Sequence, residues 1–266
     1  APEGTRGISL FVVPKYHVKE DGSLGSHNDL RCVSIEHKLG INASPTCVMS
    51  YGDNDECIGE LVGAENRGLM AMFTMMNNAR INVGNQGVQI GERATQQAFA
   101  YAQERVQSAR AGSPDRSSVA IIDHPDVRRM LLTQKAIAEG GRAMLYYAAR
   151  LADHMVEGHT TGDQKKADAY DDKLGFLTPI LKGFLTELGN EAANHGVQVF
   201  GGHGYIREHG MEQIVRDTRI ATLYEGTTGI QALDLLGRKV TQNGGAGLTA
   251  LSQRINATVA AAPEME

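Results

Sequence analysis

The residues best suited to chemistry lie in two glycine-rich turns within residues 198–231. The first turn, residues 201–204, follows an apolar helical pattern and is typical of a helix end where backbone approaches a ligand or another chain. The second turn, residues 224–228, holds Glu225 among apolar and hydroxyl neighbours, so Glu225 is a candidate general base. Spacing alone leaves another interpretation open, a helix-start carboxylate that stabilises the backbone amides of the following turn.

The first part of the chain that must support these turns carries strand signals. Residues 7–13 and 46–51 are short β-rich runs, and residues 30–39 alternate with a period of two. Turns are predicted at Asp21-Gly22 and at residues 53–55. The pattern predicts an antiparallel β unit.

From Asn66 onward the apolar period becomes helical, which predicts a bundle of long amphipathic helices. Asp123 is predicted to cap the second long helix, with Pro125 in its first turn. Polar, Gly-rich or charged composition predicts loops at residues 109–122 and 158–172. The predicted helical segments are residues 66–108 (one helix or two joined), the stretch from Asp123 to about residue 157, a helix from Leu174 toward Phe200, and residues 211–220 and 227–241.

Two apolar stripes of this helical region bear on its packing. One stripe consists of unusually small residues, which permit close helix contact within the chain or between subunits. The other should drive the third long helix into the core, with Leu185 on its flank. The small stripe is Gly87, Gly91, Ala94, Ala98 and Tyr101, and the larger one is Leu174, Leu177, Leu181, Phe184 and Leu188.

Composition narrows the class of protein. The 266 residues are 41% hydrophobic and 21% charged with a net charge of −5, which is typical of a globular protein and argues against a nucleic-acid surface. The three cysteines lack metal-type spacing, so no metal site is predicted. No apolar run approaches the roughly 20 residues of a membrane span. The chain begins with Ala1 rather than Met, and we expect it to be a piece of a longer protein.

Three sequence elements occur in one order in this region: Gln198-x-Phe-Gly-Gly-x-Gly-Tyr, then Arg216-Asp217, then Tyr224-Glu-Gly-Thr-x-x-Ile-Gln. Together they resemble the C-terminal signature of the acyl-CoA dehydrogenases, in which the 27 positions from Gln198 to Glu225 are also the family spacing. The resemblance runs from about residue 1 to about residue 242. It implies an α+β chain, the end of an antiparallel β domain followed by an acyl-CoA dehydrogenase-type helical bundle. The implied domains are residues 1–65, 66–242 and a tail, 243–266, that starts a further helical segment.

The resemblance implies FAD-dependent α,β-dehydrogenation of an acyl-CoA thioester to a trans-2-enoyl-CoA. Glu225 would take the α-proton while the β-hydride passes to N5 of the flavin. The thioester oxygen would be held by the backbone N–H of Glu225 and a flavin ribityl hydroxyl. Some relatives place the base on another helix, at a position that Ala79 fills here. Alanine cannot accept a proton, which favours Glu225.

The resemblance also implies a set of binding residues. Arg105 matches a family Arg that contacts the FAD pyrophosphate of a neighbouring subunit. The alternative interpretation is that Arg105 lies in water at the end of a helix. Arg80 matches a family Arg that lies near the CoA moiety. A structural role as an ion-pair partner is an equally open interpretation of Arg80. Ser108 and Ala109 replace a usual Phe-Gly pair, and Gly229 replaces a frequent Gln. The implied FAD-binding residues are Arg105, Gln107, His124, Gln198, Gly201, Gly202 and Thr227, and the implied substrate-binding residues are Arg80, Tyr224 and Gly226.

The implied partners are an acyl-CoA, an electron-transfer flavoprotein and further copies of the chain in a homodimer or homotetramer. The implied compartment is the bacterial cytoplasm or the mitochondrial matrix. The longer loop after Arg105 and the tail beyond residue 242 resemble a larger bacterial subfamily, the one that includes 3-methylmercaptopropionyl-CoA dehydrogenase. Two alternatives stay open: an acyl-CoA oxidase that uses oxygen, and a non-catalytic helical assembly module on the same fold.

Overall fold

The structure, a computed structural model, describes residues 2–262. Eight strands lie in this range: β1 Leu10–Val12, β2 Tyr16–Val18, β3 Leu24–His27, β4 Leu30–Ile35, β5 Cys47–Tyr51, β6 Glu60–Val62, β7 Val106–Ala109 and β8 Ser118–Ala120. The same range contains six α-helices: α1 Gly68–Glu104, α2 Pro125–Thr161, α3 Gln164–Phe200, α4 Met211–Thr218, α5 Thr228–Asp234 and α6 Ala246–Ala261. The α+β class predicted from the sequence is confirmed.

The chain divides into two compact units, Ala1–Asn78 and Ala79–Glu266, with the division inside α1. In the first unit, β1 pairs with β6, β2 with β3, and β4 with β5, all antiparallel. Buried Asn28 donates hydrogen bonds to the carbonyl oxygens of Pro14 and Ile58 and accepts one from the Ile58 amide. Its amide therefore connects segments that are distant in sequence. The antiparallel β unit is confirmed, whereas β2, β3 and β6 are too short for a period-two pattern to detect.

The core of the second unit lies along α3. Leu177, Leu181 and Leu185 of α3 are buried in one cluster with Leu145 and Leu151 of α2. A helix that buries several leucines on one face is stabilised mainly by this packing rather than by its intrinsic propensity. The predicted stripe on α3 is wrong at Phe184, which is 52% exposed. The buried face is centred one position later, on Leu185.

The small-residue stripe of α1 lies against the backbone of α3. A Cβ built on Gly87 would lie 2.7 Å from the carbonyl oxygen of Leu185, and one on Gly84 would lie 3.0 Å from that of Leu181. These distances leave no room for a side chain. The prediction of close helix packing therefore holds within this chain.

The loop predicted at residues 158–172 is wrong because α2 continues to Thr161 and α3 starts at Gln164. Gly162, with φ 76°, ends α2, and the Asp163 side chain accepts a hydrogen bond from the Lys166 amide as the N-cap of α3. Ala167 packs so closely on Gly158 that a Cβ there would lie 2.6 Å from the Ala167 nitrogen. Polar composition is compatible with a helix when its residues are good helix formers and one face is packed.

The loop predicted at residues 109–122 is wrong in part, because β7 and β8 form an antiparallel hairpin there. Asp123 is also not the N-cap of α2: His124 holds that position, and Pro125 begins the helix as predicted. Asp123 instead pairs with Arg110, at 2.9 Å between Arg110 Nη2 and Asp123 Oδ1. The hairpin escapes sequence patterns because its strands are only four and three residues long.

The last part of the second unit contains short elements and α6. α4 and α5 are confirmed near their predicted positions, and a π-helical turn, Leu235–Lys239, follows α5. Within the described residues, no helix combines the length and apolar character needed to cross a membrane. The predicted domain boundaries, 1–65, 66–242 and 243–266, stay predictions.

Candidate active site

Glu225 lies on a tight turn between a 3₁₀ segment, Arg219–Thr222, and α5. Its φ is 56°, and φ of the following Gly226 is 88°. The left-handed region is unfavourable for a residue with a Cβ, so a Glu there must be held by its surroundings. Thr227 caps α5, since its Oγ1 accepts a hydrogen bond from the Ile230 amide at 3.3 Å.

Three buried side chains hold the two carbonyl groups of this turn. Gln231 Nε2 donates to both carbonyl oxygens, of Glu225 and of Gly226, at 3.2 Å each. Arg80 Nε donates to the Glu225 oxygen at 3.4 Å, and Lys182 Nζ donates to the Gly226 oxygen at 2.5 Å. The peptide planes on both sides of Gly226 are therefore fixed by donors from α1, α3 and α5.

The donors make the surroundings of the turn cationic. Burial lowers the pKa of Lys182, and the positive charge of Arg80 lowers it further, while Glu187 and Glu225 act in the opposite direction. Arg80 is also buried, and its Nη1 lies 3.0 Å from Asp234 Oδ2. The ion-pair interpretation of Arg80 is thus supported by geometry, while its contact with a substrate stays a prediction.

Tyr224 precedes the base candidate and is half-buried. Its hydroxyl donates a hydrogen bond to Gln86 Oε1 of α1. Burial raises the pKa of Tyr224, the bond to Gln86 opposes that effect, and the charge of Glu225 adds to it. The phenol therefore stays a neutral donor near physiological pH, and its bond ties the turn to α1.

A second group of predicted residues lines a cavity of about 660 Å³. The cavity includes the end of α1, the hairpin strand β7, the start of α2 and the end of α3. Thr227 and the rest of the Glu225 turn are not among its lining residues. Six of the seven predicted FAD-binding residues line it together: Arg105, Gln107, His124, Gln198, Gly201 and Gly202.

The lining of this cavity combines a cation, amides and aromatic rings. Tyr101 and Phe200 stack with their ring centroids 4.1 Å apart, and the Tyr101 hydroxyl lies 2.8 Å from His203 Nδ1. The Arg105 guanidinium forms no ion pair with any residue of the described range, so its charge is available to an anion. A Cβ on Gly202 would meet nothing within 4 Å, so the backbone there borders open space.

Local bonds set the shape of the cavity wall. His124 Nε2 lies 2.7 Å from the Gln107 carbonyl oxygen, which connects the start of α2 to β7. The amide of Ile121 donates to the Arg105 carbonyl oxygen at 2.8 Å. Gly201 has φ 58° where α3 ends, a conformation that favours glycine. The β7–β8 hairpin, which the sequence patterns do not reveal, therefore positions Gln107 directly and His124 through its contact with the Gln107 oxygen.

The family model of the acyl-CoA dehydrogenase C-terminal domain matches residues 66–240. The chain belongs to the acyl-CoA dehydrogenase family. Over 261 residues it is 50% identical to 3-methylmercaptopropionyl-CoA dehydrogenase of Ruegeria pomeroyi, a match that covers 97% of this chain and 43% of the relative. That identity confirms the resemblance to the subfamily that includes this relative. The chain therefore spans about two fifths of its relative's length.

Two further relatives extend the comparison. The crystal structure of ACDH-11 of Caenorhabditis elegans in complex with C11-CoA superposes with a TM-score of 0.77 at 26% identity, over 96% of this chain and 39% of that one. The caffeyl-CoA reductase–Etf complex subunit CarC of Acetobacterium woodii is 28% identical over 236 residues, which cover 88% of this chain and 53% of the relative. The helical fold predicted from the sequence agrees with the ACDH-11 structure.

Sequence reasoning missed the residues that hold the Glu225 turn. Gln231 occurred only as the last letter of a motif, and Lys182 was not singled out, although both are buried. A signal for Lys182 was present, because it lies between Leu181 and Leu185 on the apolar side of a helix, where a lysine is rarely buried without a partner. Asp234 gave no such signal, since its partner Arg80 is 154 positions away.

Proposed function

We propose that this chain is the C-terminal part of an FAD-dependent acyl-CoA dehydrogenase, with Glu225 as the base that takes the α-proton of the acyl thioester. The observation that carries the proposal is the turn at Glu225, where buried donors hold a carboxylate residue in a left-handed conformation. Backbone strain of this kind is more common at functional sites than elsewhere. A purely helix-capping carboxylate would not need it, because Thr227 already caps α5.

In this proposal each residue of the turn has one task. Glu225 accepts the α-proton, and its backbone N–H is the donor offered to the thioester oxygen as negative charge develops there. Tyr224 closes one side of the turn through its bond to Gln86, and Gly226 gives the backbone room to turn. Arg80 supports the Glu225 carbonyl group and contributes positive charge toward the CoA side. When bound, FAD supplies the acceptor for the β-hydride, and the product is a trans-2-enoyl-CoA.

The 660 Å³ cavity is the proposed site for the pyrophosphate and adenosine part of an FAD. Arg105 is suited to bind an anionic pyrophosphate because its guanidinium offers a positive charge and a rigid set of hydrogen-bond donors. Gln107, His124 and Gln198 offer polar groups, and Gly201 and Gly202 let backbone approach the ligand. In the family this contact crosses to a neighbouring subunit's FAD, so the proposal includes a homodimer or homotetramer. Thr227 is proposed as the flavin contact on the Glu225 side.

The remaining parts of the proposal concern organisation and partners. We propose residues 1–65 as the end of the middle β domain, 66–242 as the C-terminal helical domain and 243–266 as the start of a further helical segment. An electron-transfer flavoprotein is the proposed electron acceptor. Support comes from CarC, whose name places it in a complex with Etf. The compartment, cytoplasm or mitochondrial matrix, stays a prediction.

The test is anaerobic mixing of the full-length protein with a panel of straight, branched and thioether acyl-CoAs while flavin absorbance is followed. We expect bound flavin that is bleached by at least one acyl-CoA and is reoxidised by an electron-transfer flavoprotein. Rapid reoxidation by oxygen instead would assign the protein to the oxidases. Absence of flavin, or flavin that no acyl-CoA reduces, would leave only the assembly-module alternative.

A further inference from the structure

Lys182 is the largest fully buried side chain among the described residues, and the proposed mechanism gives it no task. A buried lysine loses its hydration and is kept only where partners compensate for that loss. Its Nζ donates to the Gly226 carbonyl oxygen at 2.5 Å, which is a short, charge-assisted hydrogen bond. The side chain therefore reaches from the core face of α3 to the residue that directly follows Glu225.

We infer that Lys182 is a positioning residue for the general base: it fixes the peptide after Gly226 and places a positive charge beside the turn that carries Glu225. The inference rests on the proposed role of Glu225. It concerns a side chain that touches neither substrate nor cofactor in that proposal, and so acts through another residue.

The geometry of the turn supports this inference. Two consecutive residues, Glu225 and Gly226, have left-handed backbone, and the two peptides after them would relax without donors on their oxygens. Gln231 shares its single amide group between both oxygens at 3.2 Å, and Arg80 reaches only the first, at 3.4 Å. Lys182 makes the shortest of these contacts. Its loss would leave the Gly226 oxygen with only the shared Gln231 donor.

The charge of Lys182 acts on the turn together with its neighbours. Arg80 faces the turn from α1, Glu187 from α3 and Asp234 from α5, while Tyr224 lies on the turn itself. Asp234 is paired with Arg80, and Glu187 accepts a hydrogen bond from Thr228 Oγ1 at 2.6 Å. Lys182 has no carboxylate within hydrogen-bond reach in the described structure, so its field falls on Glu225 and Glu187.

The test compares Lys182→Met and Lys182→Gln with Thr178→Val in the full-length protein. Met keeps the apolar stem of the side chain without a donor, and Gln offers an uncharged donor on a side chain that is one atom shorter. Thr178 is the matched control because it is buried one turn earlier on α3 and bonds only to its own helix, at the Leu174 oxygen. Flavin reduction, acyl-CoA binding and amide hydrogen exchange of residues 224–228 are measured for each variant.

For Lys182→Met we expect flavin reduction to slow about 10- to 100-fold. Acyl-CoA affinity should change by less than about threefold. The amides of the turn should exchange faster, because the Gly226 carbonyl oxygen loses its shortest hydrogen bond. Lys182→Gln should recover part of the slow exchange and part of the reduction rate, and Thr178→Val should leave all of these values at those of the parent.

A parental reduction rate in a folded Lys182→Met protein would overturn the inference, as would equal slowing by Thr178→Val. If the Met variant does not fold, the Gln variant decides in its place: its flavin reduction should be slower than that of the parent at an acyl-CoA affinity within about threefold, and a parental rate would overturn the inference. Hydrogen exchange separates this outcome from failure of the proposed function. A parent protein that no acyl-CoA reduces would refute the role of Glu225, whereas unchanged exchange of residues 224–228 in Lys182→Met would refute the contact itself.

Discussion

Arg80 and Asp234 form a buried ion pair with 3.0 Å between Arg80 Nη1 and Asp234 Oδ2, although 154 positions separate them in sequence. Their side chains are only 7% and 10% exposed. Arg80 also donates to the Glu225 carbonyl oxygen, and Asp234 also pairs with Arg238 at 2.6 Å. The pair thus connects α1, the Glu225 turn and α5 in one network.

Removal of this arginine should destabilise the second unit. We expect Arg80→Met to lower the free energy of unfolding by about 3 kcal/mol, because Asp234 would keep only its more exposed partner Arg238. Arg142→Met is the control, since Arg142 and Glu92 also connect two helices but are 31% and 23% exposed. That change should cost about 1 kcal/mol or less. Denaturant unfolding of both variants checks the difference, and equal losses would contradict it.

The contrast between local and distant signals explains what the sequence could predict. Periodicity found α1 to α3 because their apolar faces repeat over ten turns or so. The compound motif predicted Glu225 and the cavity residues Gln198, Gly201 and Gly202. The resemblance of two other segments predicted Arg105, Gln107 and His124. The hairpin of β7 and β8 was missed because its strands, four and three residues long, give too few repeats of a period of two to detect. The boundary between α2 and α3 was misplaced because the polar, charged composition of residues 158–172 does not exclude a helix. Lys182 and Asp234 were missed because their meaning depends on partners that only the fold brings near.

Close contact between α1 and α3 makes Gly87 intolerant of a side chain. The added methyl group of Gly87→Ala would lie 2.7 Å from the Leu185 carbonyl oxygen and 2.9 Å from the Thr186 Cα, and backbone cannot move aside as a side chain can. We expect a loss of about 1–3 kcal/mol in the free energy of unfolding. Gly140→Ala, on the exposed side of α2 with nothing within 4 Å, should instead gain about 0.5–1 kcal/mol. Thermal unfolding of the two variants should shift in opposite directions.

Arg105 should determine flavin retention. Its guanidinium lines the 660 Å³ cavity and has no ion-pair partner in the described part of the chain, so Arg105→Met removes charge without breaking a protein contact. A charge-assisted hydrogen bond contributes about 1.5–3 kcal/mol, which predicts about 10- to 100-fold weaker FAD binding at unchanged stability. Arg110→Met is the control, because Arg110 pairs with Asp123 and does not line the cavity. Equal flavin retention in both variants would refute the assignment.

Burial of Lys182 should make stability depend on alkaline pH. Its pKa is lowered in the folded state by desolvation, so the unfolded chain binds the proton more tightly. The free energy of unfolding therefore rises with pH from the lowered pKa up to the ordinary pKa of 10.5, because the penalty for burying the charge disappears as Lys182 loses its proton. Lys182→Met carries no such penalty, so we expect its stability relative to the parent to fall as pH rises through this window. Tyr224, with a raised pKa, acts in the opposite direction but is present in both proteins and cancels in the difference. Urea unfolding at pH 7 and at several pH values up to about 10 measures the free energy of unfolding of both proteins. A difference between the two proteins that does not change with pH would contradict the prediction.

Glu225→Gln should abolish flavin reduction while acyl-CoA binding survives. Gln has nearly the shape of Glu and keeps its hydrogen-bonding ability, but it cannot accept a proton from carbon. The contacts that hold the turn come from Gln231, Arg80 and Lys182 to backbone oxygens, so they do not involve the exchanged side chain. A positioned base contributes about 10²–10⁴-fold, and the loss can be larger where no water substitutes for it. Anaerobic mixing of the full-length variant with an acyl-CoA that bleaches the parent measures the rate, and a spectral shift of the flavin without bleaching reports binding. Reduction at more than about a tenth of the parental rate would remove Glu225 from its proposed role.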